Sequence, residues 1–391
     1  MRRISIESLK QGMKLSLPIR DEHDNILLNR NVELTERYIR RLKDLGFQSV
    51  YIADPDLVDV FVDTMISEST RGAAVKHLSE SYKKIEKIIR DFKDASVEKI
   101  IECLRSKTIK RAFESSGIYT STVRVIENIL EDVISCAALN GLNSLKTHNN
   151  YTYNHSIDVA VISIMIGKKL QLNVRQLEEV AVGCLLHDIG KVFIPNEILN
   201  KSGKLSKKEF ELVKEHPSLG YELLRESIPI MPTHIVFQHH ERQDGSGYPR
   251  GLMGHNTIKR GAGTNRIVLY GEITALADVY DALCSDRTYR RAQLHDTVLD
   301  YIKDSAYSHF NAEIVNHFLS IVPRYPVGSN VEVVSGKYLG YKGAVIAITE
   351  ANLNAPKIRL LFNHSDKRIE PIDIDTSVQF DIRIKIIEAQ R

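Results

Sequence analysis

The spacing of apolar positions changes along the chain, and the changes divide it. To about residue 60, short apolar runs alternate with one helical stretch. Met13 to Leu17 and Ile26 to Leu28 flank the polar run Asp21 to Asn25, which predicts a hairpin. Leu34 to Leu45 is amphipathic at helical spacing and stops at Gly46, and Val50 to Ile52 reads as a further strand. From about Leu57 to Leu145 the spacing is helical. His77, Leu78, Ile85, Ile88, Ile89 and Phe92 mark one face; Ile118, Val123, Val125, Ile126, Ile129, Leu130, Val133 and Ile134 mark another. No proline stands between Pro55 and Pro195, which permits long helices. The charged side of Ser79 to Asp94 reads as a solvated helix face, with a dimerising coiled coil as the sharper alternative.

Residues 150–325 are again mainly helical, with a long polar loop around 241–266. Beyond Tyr325-Pro326 the period falls to two. Residues 330–334, 344–348, 357–361 and 380–384 predict strands, with turns at Ser335-Gly336 and Asn352 to Asn354. The expected fold class is mainly α. A small α+β module covers 1–60, a helical connector 61–117, an all-α domain 118–325 and a small β-barrel-like module 326–391.

Composition narrows the class without naming a chemistry. The chain has 391 residues, 43% of them hydrophobic and 26% charged, as in an ordinary globular protein. A net charge of +3 is too small to argue for a nucleic-acid polymer as partner, though it leaves room for a basic pocket that takes a phosphorylated ligand. No run approaches the roughly 20 apolar residues of a membrane span. The opening Met1 to Glu7 has no apolar signal-peptide core, and Cys103, Cys136, Cys184 and Cys284 are widely spaced single thiols. Together these predict a soluble cytoplasmic protein.

The candidate chemistry centres on His187 and Asp188. They close a largely apolar helix, Gln176 to Leu186, which Gly190 is expected to break. A polar pair at the end of a buried helix needs partners, because unpaired burial costs about 1–3 kcal/mol per group. His155 lies upstream; His216, His239, His240 and Asp278 lie downstream. Any one of these alone would read as a histidine or aspartate hydrogen-bonded in a core. As an ordered set, they are too many for one ion and suit two. Imidazole nitrogen with carboxylate oxygen favours borderline divalent metals. Asp188, with two oxygens, is the expected bridge. Two ions about 3.5–4 Å apart can hold an in-line displacement at phosphorus and lower the pKa of a bridging water.

Around this set, Lys191 is placed for a phosphate contact. Asp244 to Pro249 reads as a rigid turn whose glycines permit positive φ, with Tyr248 offered to a base. Arg287 and Arg290 follow Asp278 by about two to three helical turns, within reach of a second phosphate. His148, His234 and His255 read as packing or solvated residues. Glu241 reads as a residue that orients a ligand, since Asp244 stands where a zinc-protease motif would have its second histidine.

Taken in order, the blocks His-Asp-Ile-Gly-Lys, His-Pro, His-His-Glu-Arg, Gly-Tyr-Pro and Asp-Val-Tyr-Asp-Ala-Leu resemble the HD-GYP family of bacterial phosphodiesterases, a branch of the HD superfamily. The resemblance covers about residues 118–325. It implies an all-α catalytic domain with a two- or three-metal centre, often iron or manganese, that hydrolyses cyclic di-GMP to pGpG and often on to GMP. It implies His155, His187, Asp188, His216, His239, His240 and Asp278 as metal ligands, with Asp188 and Lys191 in catalysis. Lys191, Gly247, Tyr248, Pro249, Arg287 and Arg290 would contact substrate.

Two departures stand out. Some members carry a glutamate ligand to a third metal four residues before the first histidine. Here that position is Tyr151, so two metals are expected. The stretch from Gly-Tyr-Pro to Asp278 is also longer than usual, around His255 to Val268, which suggests either a lid or an inert insertion. Alternatives to hydrolysis of cyclic di-GMP are a receptor that binds it without turnover, and an enzyme for another cyclic dinucleotide such as cyclic GMP-AMP. The full ligand set argues against the receptor. A homodimer through the helices of 57–145, and signalling-protein partners, are compatible with the sequence.

Overall fold

The computed structural model describes all residues except 21–25, 48, 62–63, 140–150, 202, 260–264, 286–291, 350 and 388–391. The side chains of Arg2, Arg3 and Tyr151 are likewise outside the description. Arg287, Arg290, His148, the polar turn 21–25 and the glycine-bearing part of the 255–268 insertion therefore lie outside the described residues.

A helical body forms around Tyr151–Lys169. Ile157 and Val159 to Ile166 are buried almost without interruption, so this helix has no solvent face and must be central. Val174–Leu186, Leu269–Cys284 and Glu68–Ile89 pack on it. Val174–Leu186 opens with a reciprocal cap between Asn173 and Gln176, which satisfies backbone donors at its start. Ile230–Gln238 lies against Val174–Leu186, and His216–Leu224 against the 3-10 turn Ile189–Phe193.

The helices upstream of residue 118 share this core. A contiguous set of buried apolar residues runs from Met65 to Val322. Glu68–Ile89 starts at Ser67, whose side chain accepts from the Thr70 amide. It buries Ala74, Val75, Leu78, Tyr82, Ile85 and Ile89 and leaves Glu80, Lys83, Lys84, Glu86 and Lys87 exposed.

At the N-terminal end, Arg2–Ser5 pairs antiparallel with Ser49–Ile52, and Ile19–Arg20 with Ile26–Leu28. The hairpin's first arm is thus not Met13 to Leu17. Leu15 instead bridges to Ile52 and Lys14 to Glu33, because the fully buried Leu15 side chain belongs to the core of Ile4, Ile6, Val50 and Ile52. The helix of this module is Glu36–Asp44, capped by Thr35.

The C-terminal strands make an open sheet, not the expected barrel-like closure. Among the described residues the order across the sheet is Arg368–Asp375, Asn352–Phe362, Lys342–Thr349, Asn330–Val333, Ile384–Ile386, all antiparallel. The edge strand Ile384–Ile386 lies against helix His295–Asp304, where the Ile386 amide approaches the Asp296 carboxylate at 3.4 Å. A helix covers the edge that closure would have had to pair. The opposite edge, Arg368–Asp375, contains Pro371, which suits an edge strand. The segment 54–60 meets this sheet. Leu57 and Val60 pack with Ala344 and Leu361, and Arg359 and Arg368 bond to Asp54, Asp56 and Asp59.

Candidate metal centre

The helix Val174–Leu186 stops with His187 as its C-cap, before Gly190 is reached. Gly190 does something other than break the helix. A Cβ on it would stand 1.9 Å from the His216 carbonyl oxygen. Only glycine lets helix His216–Leu224 settle onto the Ile189–Phe193 turn. That approach brings His216 Nε2 to 3.4 Å from Asp188 Oδ1.

The remaining residues converge on the same carboxylate. His239 Nε2 lies 3.8 Å from Oδ1, His187 Nε2 3.3 Å from Oδ2, and Lys191 Nζ 2.6 Å from Oδ2. Two sets of ligand-type atoms result, each within 4.8 Å: Asp188, His216, His239 and His240 in one, His155, His187 and Asp188 in the other. Asp188 is common to both. Asp278, on Leu269–Cys284, touches each set, with Oδ1 3.1 Å from His155 Nε2 and Oδ2 3.9 Å from His240 Nδ1. All seven side chains singled out in the sequence are thus brought together.

Local hydrogen bonds aim the rings. Nδ1 of His187, His216 and His239 donates to the carbonyl three residues back, at 2.7, 2.7 and 2.9 Å. Each bond leaves the Nε2 lone pair pointing inward. His216 Nε2 and His239 Nε2 then face each other at 3.3 Å. Two facing lone pairs repel unless a cation lies between them or near them.

Charge follows the same logic. Burial raises the Asp188 and Asp278 carboxyls, but His187 and Lys191 at the first, and His155 at the second, hold them well below the usual range. Burial pulls His187 down, yet the charge of Asp188 outweighs it and the net shift is upward. Burial pushes His239 well below its ordinary value, and His240 to about 3, so both are neutral imidazoles at pH 7, the form that can bind a metal. His187 Nε2 and Asp188 Oδ1 are buried and make no hydrogen bond among the described residues. Orphaned acceptors of this kind, in a nitrogen and oxygen donor set, fit divalent metal ions.

One member of the centre escaped the sequence reading. Asp281 Oδ2 accepts from His155 Nδ1 at 2.7 Å. Asp278 and Asp281 therefore hold opposite nitrogens of one ring. The signal was their i,i+3 spacing on a helix, which puts both on one face.

The loop after His240 is also built differently from expectation. Glu241 accepts from the amides of Arg250 and Leu252, at 2.8 Å each, so it orients the Gly-Tyr-Pro turn and not a ligand. Its carboxylate is consumed by backbone donors that the turn would otherwise bury unpaired. Gly247 is required by space, not by positive φ: a Cβ there would meet the Arg242 nitrogen at 2.4 Å. The turn folds back so that the Tyr248 amide donates to the His240 carbonyl, at 3.1 Å, and its ring sits 4.7 Å from the His240 ring. Pro249 follows in the same turn. Phe210 lies beside Tyr248, ring to ring at 6.4 Å. His234 stands apart, half-buried against Tyr221, and His255 is half-buried where a solvated position was expected. In the insertion, Asn256 donates to the Tyr307 carbonyl, and Thr257 and the Ile258 amide to Glu313.

Residues 124–314 match the HD domain family. A cyclic di-GMP phosphodiesterase of Pseudomonas aeruginosa is 35% identical over 234 residues, 59% of this chain and 52% of that protein. A cyclic di-GMP phosphodiesterase response regulator of Xanthomonas campestris is 39% identical over 141 residues, 35% of each chain. This helical domain belongs to the HD-GYP family. Another similar protein is a 3'3'-cGAMP-specific phosphodiesterase of Vibrio cholerae, 34% identical over 178 residues, 44% of this chain and 38% of that one. The chain spans about half the length of the Pseudomonas relative and less of the other two. No helix among its described residues is long and apolar enough to cross a membrane.

Proposed function

We propose that this chain is a metal-dependent phosphodiesterase that hydrolyses cyclic di-GMP to pGpG, and onward to GMP, as a soluble cytoplasmic signalling enzyme. The observation that carries the proposal is Asp188, a buried carboxylate shared by two sets of histidines. Two divalent ions, iron or manganese, would supply a water of lowered pKa and neutralise phosphate oxygens. His216, His239 and His240 would hold one ion, His155, His187 and Asp278 the other, with Asp188 between them. Lys191, at the rim and only partly buried, offers its ammonium to a phosphate oxygen. Tyr248, kept protonated by burial, covers His240 and presents its ring to a base, with Gly247 and Pro249 shaping the turn. Arg287 and Arg290 are assigned to the second phosphate.

The names of the similar proteins support a cyclic dinucleotide as substrate class. The test is to purify the full chain, quantify bound metal, and assay a panel of cyclic dinucleotides with product analysis. The proposal expects about two metals per chain and linear pGpG as the first product. Tight binding of cyclic di-GMP without turnover at full metal occupancy would make the chain a receptor instead. Faster turnover of cyclic GMP-AMP would reassign the substrate.

A further inference from the structure

The seven candidate ligands are not equally closed off from water. The side chains of His155, His187, Asp188, His216 and His239 are at most 3% exposed and that of Asp278 10%, whereas that of His240 is 25% exposed. The ligand set is therefore most open at His240. What stands at that opening is aromatic. The Tyr248 ring lies 4.7 Å from the His240 ring, and the Phe210 ring lies 6.4 Å from Tyr248, at 80° to it.

Phe210 has no evident use in the fold. It belongs to helix Lys207–Val213, none of whose residues is buried, and is itself 46% exposed. An exposed phenyl ring forgoes the stabilisation that burial would give. The helix is nonetheless held at both ends. Ser206 and Glu209 cap its start reciprocally, and Lys201 bonds both oxygens of Glu209 at 2.8 Å. At its other end the Val213 carbonyl accepts from Nδ1 of His216 at 2.7 Å, which ties the helix to the candidate centre. The Gly-Tyr-Pro turn does not need Phe210 as a prop, since Glu241 and the His240 carbonyl already hold it. The Lys214 ammonium, paired with Glu211, stands 5.5 Å from the Phe210 ring centroid, and the exposed remainder of the ring is an apolar surface beside the opening. A planar base is the part of a nucleotide that such a surface takes.

We infer that Phe210 is a specificity-determining residue of the substrate site, its ring stacking a purine base of the cyclic dinucleotide while Tyr248 meets that base edge-on. The inference rests on the phosphodiesterase reading for its substrate. The perpendicular setting of the two rings gives the base one face and one edge to contact. The two fused rings of a purine cover a phenyl ring more fully than a pyrimidine does, so Phe210 selects for purines without reading their hydrogen-bonding edges.

The test compares Phe210→Leu and Phe210→Trp with wild type in the full, metal-loaded chain. Leucine keeps an apolar side chain and removes the π face; tryptophan keeps both. In Phe210→Leu, bound metal, melting temperature and calorimetric affinity for inorganic phosphate should be unchanged. Affinity for GMP, which adds a base to the phosphate, should fall roughly tenfold, and KM for cyclic di-GMP should rise by a similar factor with little change in kcat. Phe210→Trp should keep both near wild type. Unchanged GMP affinity in Phe210→Leu would overturn the inference. So would a joint loss of metal, phosphate affinity and melting temperature, which is the signature of a ring that only braces helix 207–213. A wild-type chain that turns over no cyclic dinucleotide would sink the earlier reading, while the comparison of GMP with phosphate would still decide the role of Phe210.

Discussion

Two regions of this protein gather charged side chains, and they do it in opposite ways. Between the segment 54–59 and the C-terminal sheet, acids meet arginines. Arg359 bonds Asp59 and Asp373 with both edges of its guanidinium, and Arg368 bonds Asp54 and Asp56. Most of these acids keep contact with water. In the candidate metal centre, imidazoles and carboxylates face one another, His155, His187, Asp188, His216 and His239 are at most 2% exposed, and two acceptor atoms have no hydrogen bond among the described residues. Paired, hydrated charges hold two segments together and are complete as they stand. Buried acceptors without donors are complete only with something the chain does not supply. Lack of complementarity, more than density of charge, marks the functional region.

The contrast breaks most sharply at Asp188. Asp188→Ala should remove the shared carboxylate, strip bound metal, and lower hydrolysis by more than about a thousandfold. The circular dichroism spectrum should stay that of the wild type. Full activity with metals bound at the remaining ligands would sink the two-set reading.

Asp281 tests how far the centre extends. Asp281→Ala frees Nδ1 of His155 and should weaken metal affinity about 10- to 100-fold, read by competition with a chelator. An unchanged affinity would return Asp281 to an ordinary helix residue.

His295 is half-buried, yet partnered like the arginine–aspartate clasp between 54–59 and the C-terminal sheet. Its Nε2 accepts from Tyr280 O–H at 2.7 Å, and its Nδ1 donates to the Arg324 carbonyl at 3.2 Å. Burial pushes its pKa down to about 4. The unfolded chain binds this proton below about pH 6.5, and the folded chain only near the lowered value. Stability is therefore fully present above the unfolded pKa and falls as the pH drops from there toward 4. His295→Gln should remove at most about 2 kcal/mol of the difference in unfolding free energy between pH 7 and pH 5. Urea midpoints at the two pH values measure it, and an unchanged pH dependence would exclude His295 as a contributor.

The clasp should respond least. Arg359→Ala should cost about 1 kcal/mol or less, because its partners are largely hydrated. A lowered melting temperature with unaltered kcat/KM is expected. Loss of activity would mean that the clasp governs the site.

Much of this was legible in the chain. Apolar spacing located Val174–Leu186 to within two residues, and the seven candidate ligands were named from residue type and order. Strand Arg368–Asp375 was not legible, since Arg368, Glu370 and Pro371 obscure its alternation. The open edge of the sheet was hidden as well, because what covers it is a helix some 80 residues earlier in the chain.

What the sequence by itself determined was local: periodicity, caps, and which side chains offer imidazole or carboxylate. These follow from neighbours within a turn or two of backbone. Tertiary structure decided which oxygen of Asp188 faces which histidines, that Asp281 holds His155, and that Glu241 serves the loop. Each of these is a contact between residues that only close packing brings together, as at Gly190 against the His216 carbonyl. No spacing along the chain encodes such a distance; it is set when the helices meet.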